Sequence, residues 1–148
     1  MLDAIGHNEI TTRENLPGRS LTQLATASND PDRVAFSEYY AAGADRASFM
    51  IRKGKYKFIT YVGYEPELFD LEKDPEELSN LAQDAAYAEV VRQYDSTLRS
   101  MVDPEGLDKM AFLDQSVLVE KNGGREKVTA KGAIQGSPVP GERAEYVA

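Results

Sequence analysis

The stretch ASFMIRKGKYKFITYVGYEPELFDL, residues 47–71, reads as three short β-rich runs separated by turn signals. Lys53-Gly54 forms a tight turn between the first two runs, with Gly supplying the positive φ that a two-residue hairpin demands. Within 55–62, Tyr56, Phe58, Thr60 and Val62 alternate with Lys57, Ile59 and Tyr61, the period-2 pattern of a strand with one largely apolar and one mixed face. The connection from Gly63 to Glu65 is short enough for a second hairpin. Strands 47–53, 55–62 and 66–71 therefore form an antiparallel meander. RVAFSEYY (33–40) adds a fourth strand, at an edge or in the middle, through a longer connection. The aromatic residues mark the same region as the core. Nine of the thirteen Phe and Tyr lie between Phe36 and Phe69, and such residues favour a pleated, half-buried surface.

After the sheet the period changes. Asp74-Pro75-Glu76-Glu77 has a capping Asp, Pro at the first helical position and Glu three residues after the cap, so a short helical turn is expected there. From Asp84 onward Tyr87, Val90, Val91, Tyr94, Leu98 and Met101 recur at spacings of three and four, an amphipathic helix with its stripe available to the sheet. Asp103-Pro104 ends it. A second helix is predicted from Leu107 to about Lys121, with Leu107, Met110, Ala111, Val117 and Leu118 inward and Gly123 or Gly124 as C-cap. Residues 122–148 are rich in Gly and Pro and poor in large apolar side chains, a tail that is either disordered or an arm laid on another subunit. At the other end Leu2, Ala4 and Ile5 look like the last turn of an apolar helix cut at Met1. Asn15 to Gly18 is a turn, and Leu21 and Leu24 begin a short helix. The fold class is α+β: a small four-stranded antiparallel sheet with a long amphipathic helix packed on it, a second helix and an extended C-terminal tail. Three parts are expected, 1–30 as helix end and connecting segment, 31–102 as the α+β unit, and 103–148 as helix and tail.

Composition narrows the function. The chain has 148 residues, a net charge of −8 and no cysteine or tryptophan. Disulfides, thiolate metal sites and a cysteine nucleophile are excluded. The excess of 25 acidic over 17 basic side chains repels a polyanion, so nucleic acid is not an expected partner. Apolar runs fall far short of the ~20 residues of a spanning helix, and no signal-peptide pattern opens the chain. No membrane partner and a cytoplasmic location are the expectation.

Searching for chemistry turns up mostly structural readings. His7, the one histidine, stands in a polar stretch without a nucleophile motif beside it. Asp70, Glu72 and Asp74 alternate as in a calcium loop, but the Gly at the sixth place and the Glu at the twelfth are missing and Pro75 interrupts. Glu76, Glu77, Asp114 and Glu120 read as capping or solvated carboxylates. Arg52, Lys53, Lys55 and Lys57 form a basic hairpin that reads as a solvated strand edge, with an anion site as the sharper alternative. Gly123-Gly124 follows a helix, so it offers carbonyls rather than the N–H groups a phosphate needs.

Together the segments LPGRSL (16–21), VAFSEYY (34–40), FMIRKGKYKFI (49–59) and above all PELFDLEKDPEELSNLA (66–82) resemble the C-terminal region of sulfatases, enzymes of the alkaline phosphatase superfamily that hydrolyse sulfate esters. DPEGLDKMAFLDQSVLVEKNGG (103–124) with GSPVPG (136–141) looks like the C-terminal extension of choline-sulfatase-like members, and MLDAIG (1–6) like the end of the helix before GRSL. The resemblance implies a small antiparallel sheet with a long helix, attached to a separate catalytic domain.

It also implies which groups to look for. The family's nucleophile is a Cys or Ser in C/S-x-P-x-R, converted to formylglycine, and its calcium is held by Asp and Asn of the large domain. Neither maps onto this sequence: Ser137 is followed directly by Pro138 and the motif's Arg is absent. No catalytic residue, metal ligand or cofactor is expected in this chain, and no activity of its own. The resemblance suggests that the loop from Tyr39 to Arg46 approaches the substrate mouth of the parent enzyme, with Tyr39 and Tyr40 as candidate lining residues. The plainer reading of both is strand packing. The expected partners are a sulfatase catalytic domain, or a second copy in a homodimer or higher oligomer. The competing class is a stand-alone binding or structural module with the same fold.

Overall fold

The computed structural model describes residues 19–40, 44–130, 132–134 and 146–147. His7, Ser137, the cut helix at 1–5 and the turn at 15–18 lie outside them.

Four strands follow one another in space as in sequence: β1 Val34–Tyr39, β2 Ser48–Lys53, β3 Tyr56–Tyr61 and β4 Glu67–Asp70, all antiparallel, with β1 at the edge. The hairpin between β2 and β3 pairs Lys53 with Tyr56, so the two turn residues are Gly54 and Lys55 rather than Lys53 and Gly54. Gly54 alone carries positive φ (54°), as a turn with its strained position first requires. Register places Phe36, Ile51, Phe58 and Leu68 in one row across the sheet, and Phe49 one row further along the same face. That row is the core.

Helix α2 (Ala88–Met101) covers this face after a single 3-10 turn, Ala85–Tyr87, whose Asp84 side chain accepts the Ala86 N–H at 2.9 Å. Leu98 is fully buried with Phe49, Ile51, Phe58 and Leu68, and Val90 and Val91 pack beside them. Tyr94 stands edge-on to Tyr56 and Phe58, with ring centroids 6.0 and 6.5 Å apart, and its hydroxyl donates to the Lys53 carbonyl at 2.7 Å. The expected stripe is therefore the buried one, except for Met101, which is 46% exposed beyond the sheet's end.

The expected helical turn at Asp74 is absent. The Asp74 carboxylate accepts the N–H groups of Leu78 and Ser79, further along than a helix cap reaches, and so closes a loop instead of starting a helix. Glu77 adopts φ 58°, outside the helical region, while its carboxylate meets Lys57 at 2.6 Å across the sheet. The loop then runs along β4: Leu81 N–H donates to the Leu68 carbonyl, and Asn80 Oδ1 accepts the Leu68 N–H. One sheet edge is thus closed by the chain itself.

Helix α3 spans Pro104–Lys121, starting three residues before the expected Leu107 because Asp103 caps it, accepting the Gly106 N–H at 3.2 Å, with Pro104 at the first position. Its C-terminus ends as expected: Gly124 N–H reaches the Val119 carbonyl and Gly123 N–H the Glu120 carbonyl, both glycines at positive φ. The inward assignment is overturned for Met110, Val117 and Leu118, which are mainly exposed. Only Pro104 and Asp108 of this helix are buried, while Leu107 reaches the core's margin. The sheet is too small to extend under the helix's second half.

Helix α1 (Leu21–Thr26) is capped by Ser20 and buries none of its residues. Beyond α3 the backbone forms α4 (Arg125–Ala130) and a two-stranded ribbon, β5 (Ala133–Ile134) with β6 (Tyr146–Val147). Regular structure in the tail was not expected from its composition; both pieces rest on backbone hydrogen bonds, which need few apolar residues.

Candidate functional site

The loop after β1 ends at Asp45, Arg46 and Ala47, and two separate elements, the β3–β4 connection and α3, hold those residues. The Tyr64 hydroxyl, from the β3–β4 connection, donates to the Asp45 carboxylate. Asp108 of α3 accepts the Ala47 N–H through Oδ1 at 2.8 Å and an Arg46 N–H through Oδ2 at 3.1 Å. One helical turn further on, the Phe112 ring lies beneath the Arg46 guanidinium, 5.2 Å from its centroid. Asp108 is 4% exposed, so both its oxygens need partners, and both have them. The Ala47 carbonyl in turn accepts the Val62 N–H, extending the β2–β3 ladder by one bond.

Beside this clamp is a cavity of about 200 Å³ lined by Tyr40, Arg46, Asp108, Phe112 and Gln115 among others. Tyr40 stands edge-on to the buried Phe49, with centroids 5.7 Å apart, and its hydroxyl donates to Glu38 at 3.0 Å. Burial, reinforced by the hydrogen bond to Glu38, pushes the Tyr40 hydroxyl up to about 12. It is a neutral hydrogen-bond donor at neutral pH, not a base. Tyr39, on the opposite face of the strand, is half exposed. The two tyrosines named from sequence are thus separated by the strand's alternation: Tyr40 belongs to the core's margin and the clamp's cavity, Tyr39 to the outer face.

The other ionisable candidates are structural. The basic hairpin is neutralised at three of its four positions: Lys53 meets Asp32 at 3.1 Å, Lys55 meets Asp70 at 3.0 Å and Lys57 meets Glu77 at 2.6 Å. Burial pushes the Asp70 carboxyl up, but Lys55 and the N–H groups of Lys73 and Glu72 outweigh it, and the net shift is downward. Asp70 is 1% exposed, and Asp74 is occupied by Leu78 and Ser79, so this acidic run does not converge on a cation. Among the described residues no group of three or more His, Asp or Glu is placed to hold a metal ion. The sequence has no C/S-x-P-x-R for a formylglycine, and the described residues do not fit the family's calcium. No helix among the described residues is long and apolar enough to cross a membrane.

The clamp itself was invisible to sequence reading. Asp108 had no motif around it, and its partners lie 61 and 62 residues away. The one available signal was a carboxylate on the side of α3 that Leu107 and Ala111 turn inward, where an acidic residue needs a reason.

Comparisons with known proteins converge. Residues 2–103 match the family described as N-sulphoglucosamine sulphohydrolase, C-terminal. Arylsulfatase K of Mus musculus is 36% identical over 70% of this chain and 20% of its own length, and arylsulfatase K of Gallus gallus 34% identical over 64% and 19%. The chain thus spans about a fifth of the length of these curated relatives. Among solved structures, BT1596, a 2-O GAG sulfatase, is 27% identical over 57% of this chain and 19% of its own, with a TM-score of 0.48. The sheet, its closing loop and α2 lie inside the matched range. Helix α3, which supplies Asp108, lies beyond it.

Proposed function

The chain belongs to the N-sulphoglucosamine sulphohydrolase C-terminal family of sulfatase domains, and from that premise we propose that it serves as the non-catalytic C-terminal layer of a sulfuric ester hydrolase. It packs on the catalytic domain and supports oligomerisation, and it hydrolyses nothing alone. The observation that carries this reading is the use made of the buried carboxylates. Asp70 and Asp108, the two buried carboxylates among the described residues, are each consumed by a cation and backbone N–H groups. Sulfate ester cleavage needs an activated nucleophile, cations at the sulfuryl oxygens and an acid for the leaving oxygen. Among the described residues no group of three or more His, Asp or Glu is placed to hold a metal ion, and the sequence has no C/S-x-P-x-R.

Within that reading the β1–β2 loop is the part that faces the parent's substrate. Tyr39 lines the mouth with its exposed ring, Tyr40 supports it from beneath, and the Asp108 clamp sets the loop's far end. The choline-sulfatase-like extension, 103–124, contributes that clamp and a subunit contact. The parent's substrate class is a sulfate ester.

The test is an aryl sulfate hydrolysis assay on the purified 148-residue chain. No turnover above buffer is expected; turnover that follows the protein through two chromatographic steps would overturn the reading. For the loop, Tyr39→Ala in a sulfatase containing this region should raise KM with kcat little changed, and an unchanged KM removes Tyr39 from the mouth.

A further inference from the structure

Helix α3 is apolar on two opposite sides, and the sheet can cover only one. Pro104, Asp108 and Leu107 face the domain, whereas Met110, Leu113 and Val117 are 57%, 57% and 66% exposed. Their spacing of three and four puts them in a single row on the far side. A helix with apolar rows on two sides needs cover on both, and here the described residues supply it on one.

The flanks of the row say what the other half is. Lys109 lies just before Met110 and Asp114 just after Leu113, one on each side of the seam. Both are exposed, and among the described residues neither takes part in an ion pair. When two copies of this helix pair in parallel, each Lys109 comes opposite the Asp114 of the other copy, twice by symmetry. The antiparallel pairing that overlaps the same rows instead sets Asp114 against its own copy, a like-charge contact. Val117 and Leu113 then occupy the β-branched and Leu positions that favour two strands over three.

We propose that the outer row of α3 is a docking seam for a second copy of this chain, the two helices parallel and in register at Met110, Leu113 and Val117. This rests on the oligomerisation part of the function proposed above and specifies its partner, residues and polarity. A single heptad is a short seam, so the pairing expected of it alone is weak, with a dissociation constant on the order of micromolar or above.

The chain contains no cysteine, so a single introduced thiol reports cleanly. Leu113→Cys under mild oxidation should give an interchain disulfide in the full 148-residue chain, with Ser79→Cys, in the exposed loop distant in sequence, as the control that does not cross-link. Adding Lys109→Glu should slow cross-linking about fivefold, and adding Asp114→Lys to that variant should restore it. Thermal melts identify any variant that has failed to fold. Retained cross-linking in Lys109→Glu, absent rescue by Asp114→Lys, or faster linking of Met110→Cys with Val117→Cys than of Leu113→Cys with itself overturns the parallel seam. Light scattering separates the two levels of the claim. A dimer whose Leu113→Cys form does not cross-link refutes the seam and leaves oligomerisation standing, whereas a monomer at millimolar concentration refutes both.

Discussion

Helices α2 and α3 follow each other with two residues between them, and both read in sequence as apolar-striped, yet they end in opposite situations. In α2 the apolar residues fall on one side, and the sheet face opposite is broad enough to take Tyr94 and Leu98 into the core. In α3 the apolar residues fall on both sides. The sheet engages the first turns, through Asp108 and Leu107, and the rest projects with Met110, Phe112, Leu113, Val117 and Leu118 substantially exposed. A pattern of apolar spacing states that a face needs cover. It does not state that the same chain provides it.

The sharpest way to break the comparison is to truncate one Leu from each helix. Leu98→Ala should cost about 2–5 kcal/mol in urea unfolding, and Leu113→Ala less than about 0.5 kcal/mol in the monomer, because one loses core contacts and the other loses water contacts. Equal losses would show that α3 is as buried as α2.

A second cut falls on the polar link between α3 and the sheet. Asp108→Ala leaves the buried Ala47 N–H without its acceptor and the half-exposed Arg46 without its counter-ion, and should cost about 1–3 kcal/mol. Hydrogen exchange should accelerate first at Ala47 and along α3 while α2 stays protected. Uniform acceleration would mean the two helices unfold as one unit.

Smaller still is the polar link of α2. Tyr94→Phe removes the bond to the Lys53 carbonyl and keeps the ring packing, an expected cost of about 0.5–1.5 kcal/mol by chemical denaturation. A loss as large as that of Leu98→Ala would place the hydroxyl, not the ring, at the centre of the contact.

The mildest effect is confined to acid. The folded-state pKa of Asp70 is depressed, so its contribution to stability is present above the unfolded value, about 4, and is lost as pH falls through the folded value. Asp70→Asn should therefore show a shallower loss of Tm below about pH 4 than the parent, with Lys55→Gln behaving the same way. Identical acid slopes in parent and variants would remove the Lys55 pair from the acid response.

Legibility differed in the same way across the molecule. The meander was readable because its partners are neighbours in sequence: alternation in 55–62 determines which side chains share a face and a glycine turn joins the strands, although the hairpin pairs Lys53 with Tyr56, one residue off the expected turn. α2 was readable because one stripe and one cap suffice. The Asp74 motif misled because a capping Asp followed by Pro and Glu is equally compatible with a loop whose carboxylate reaches further along the chain, and in that loop Glu77 meets Lys57 on the sheet. Of the two tyrosines taken from the family resemblance, alternation along the strand separates their roles, and the residue that holds their loop, Asp108, carried no sequence motif at all.

By itself the amino-acid sequence determined the three-stranded meander, the position of the long helix, the absence of a thiol nucleophile and the family, while the place of β1 at the sheet's edge came from the structure. Each of these four depends on local spacing or on residue type, and none needs a distant partner to be specified. Tertiary structure alone decided that Asp108 clamps the β1–β2 loop, that the three lysines of the basic hairpin are neutralised, and that the described residues leave one side of α3 uncovered. Those outcomes depend on which surfaces meet across 15 to 62 residues of chain and on how far a four-stranded sheet extends, and no local pattern encodes that reach.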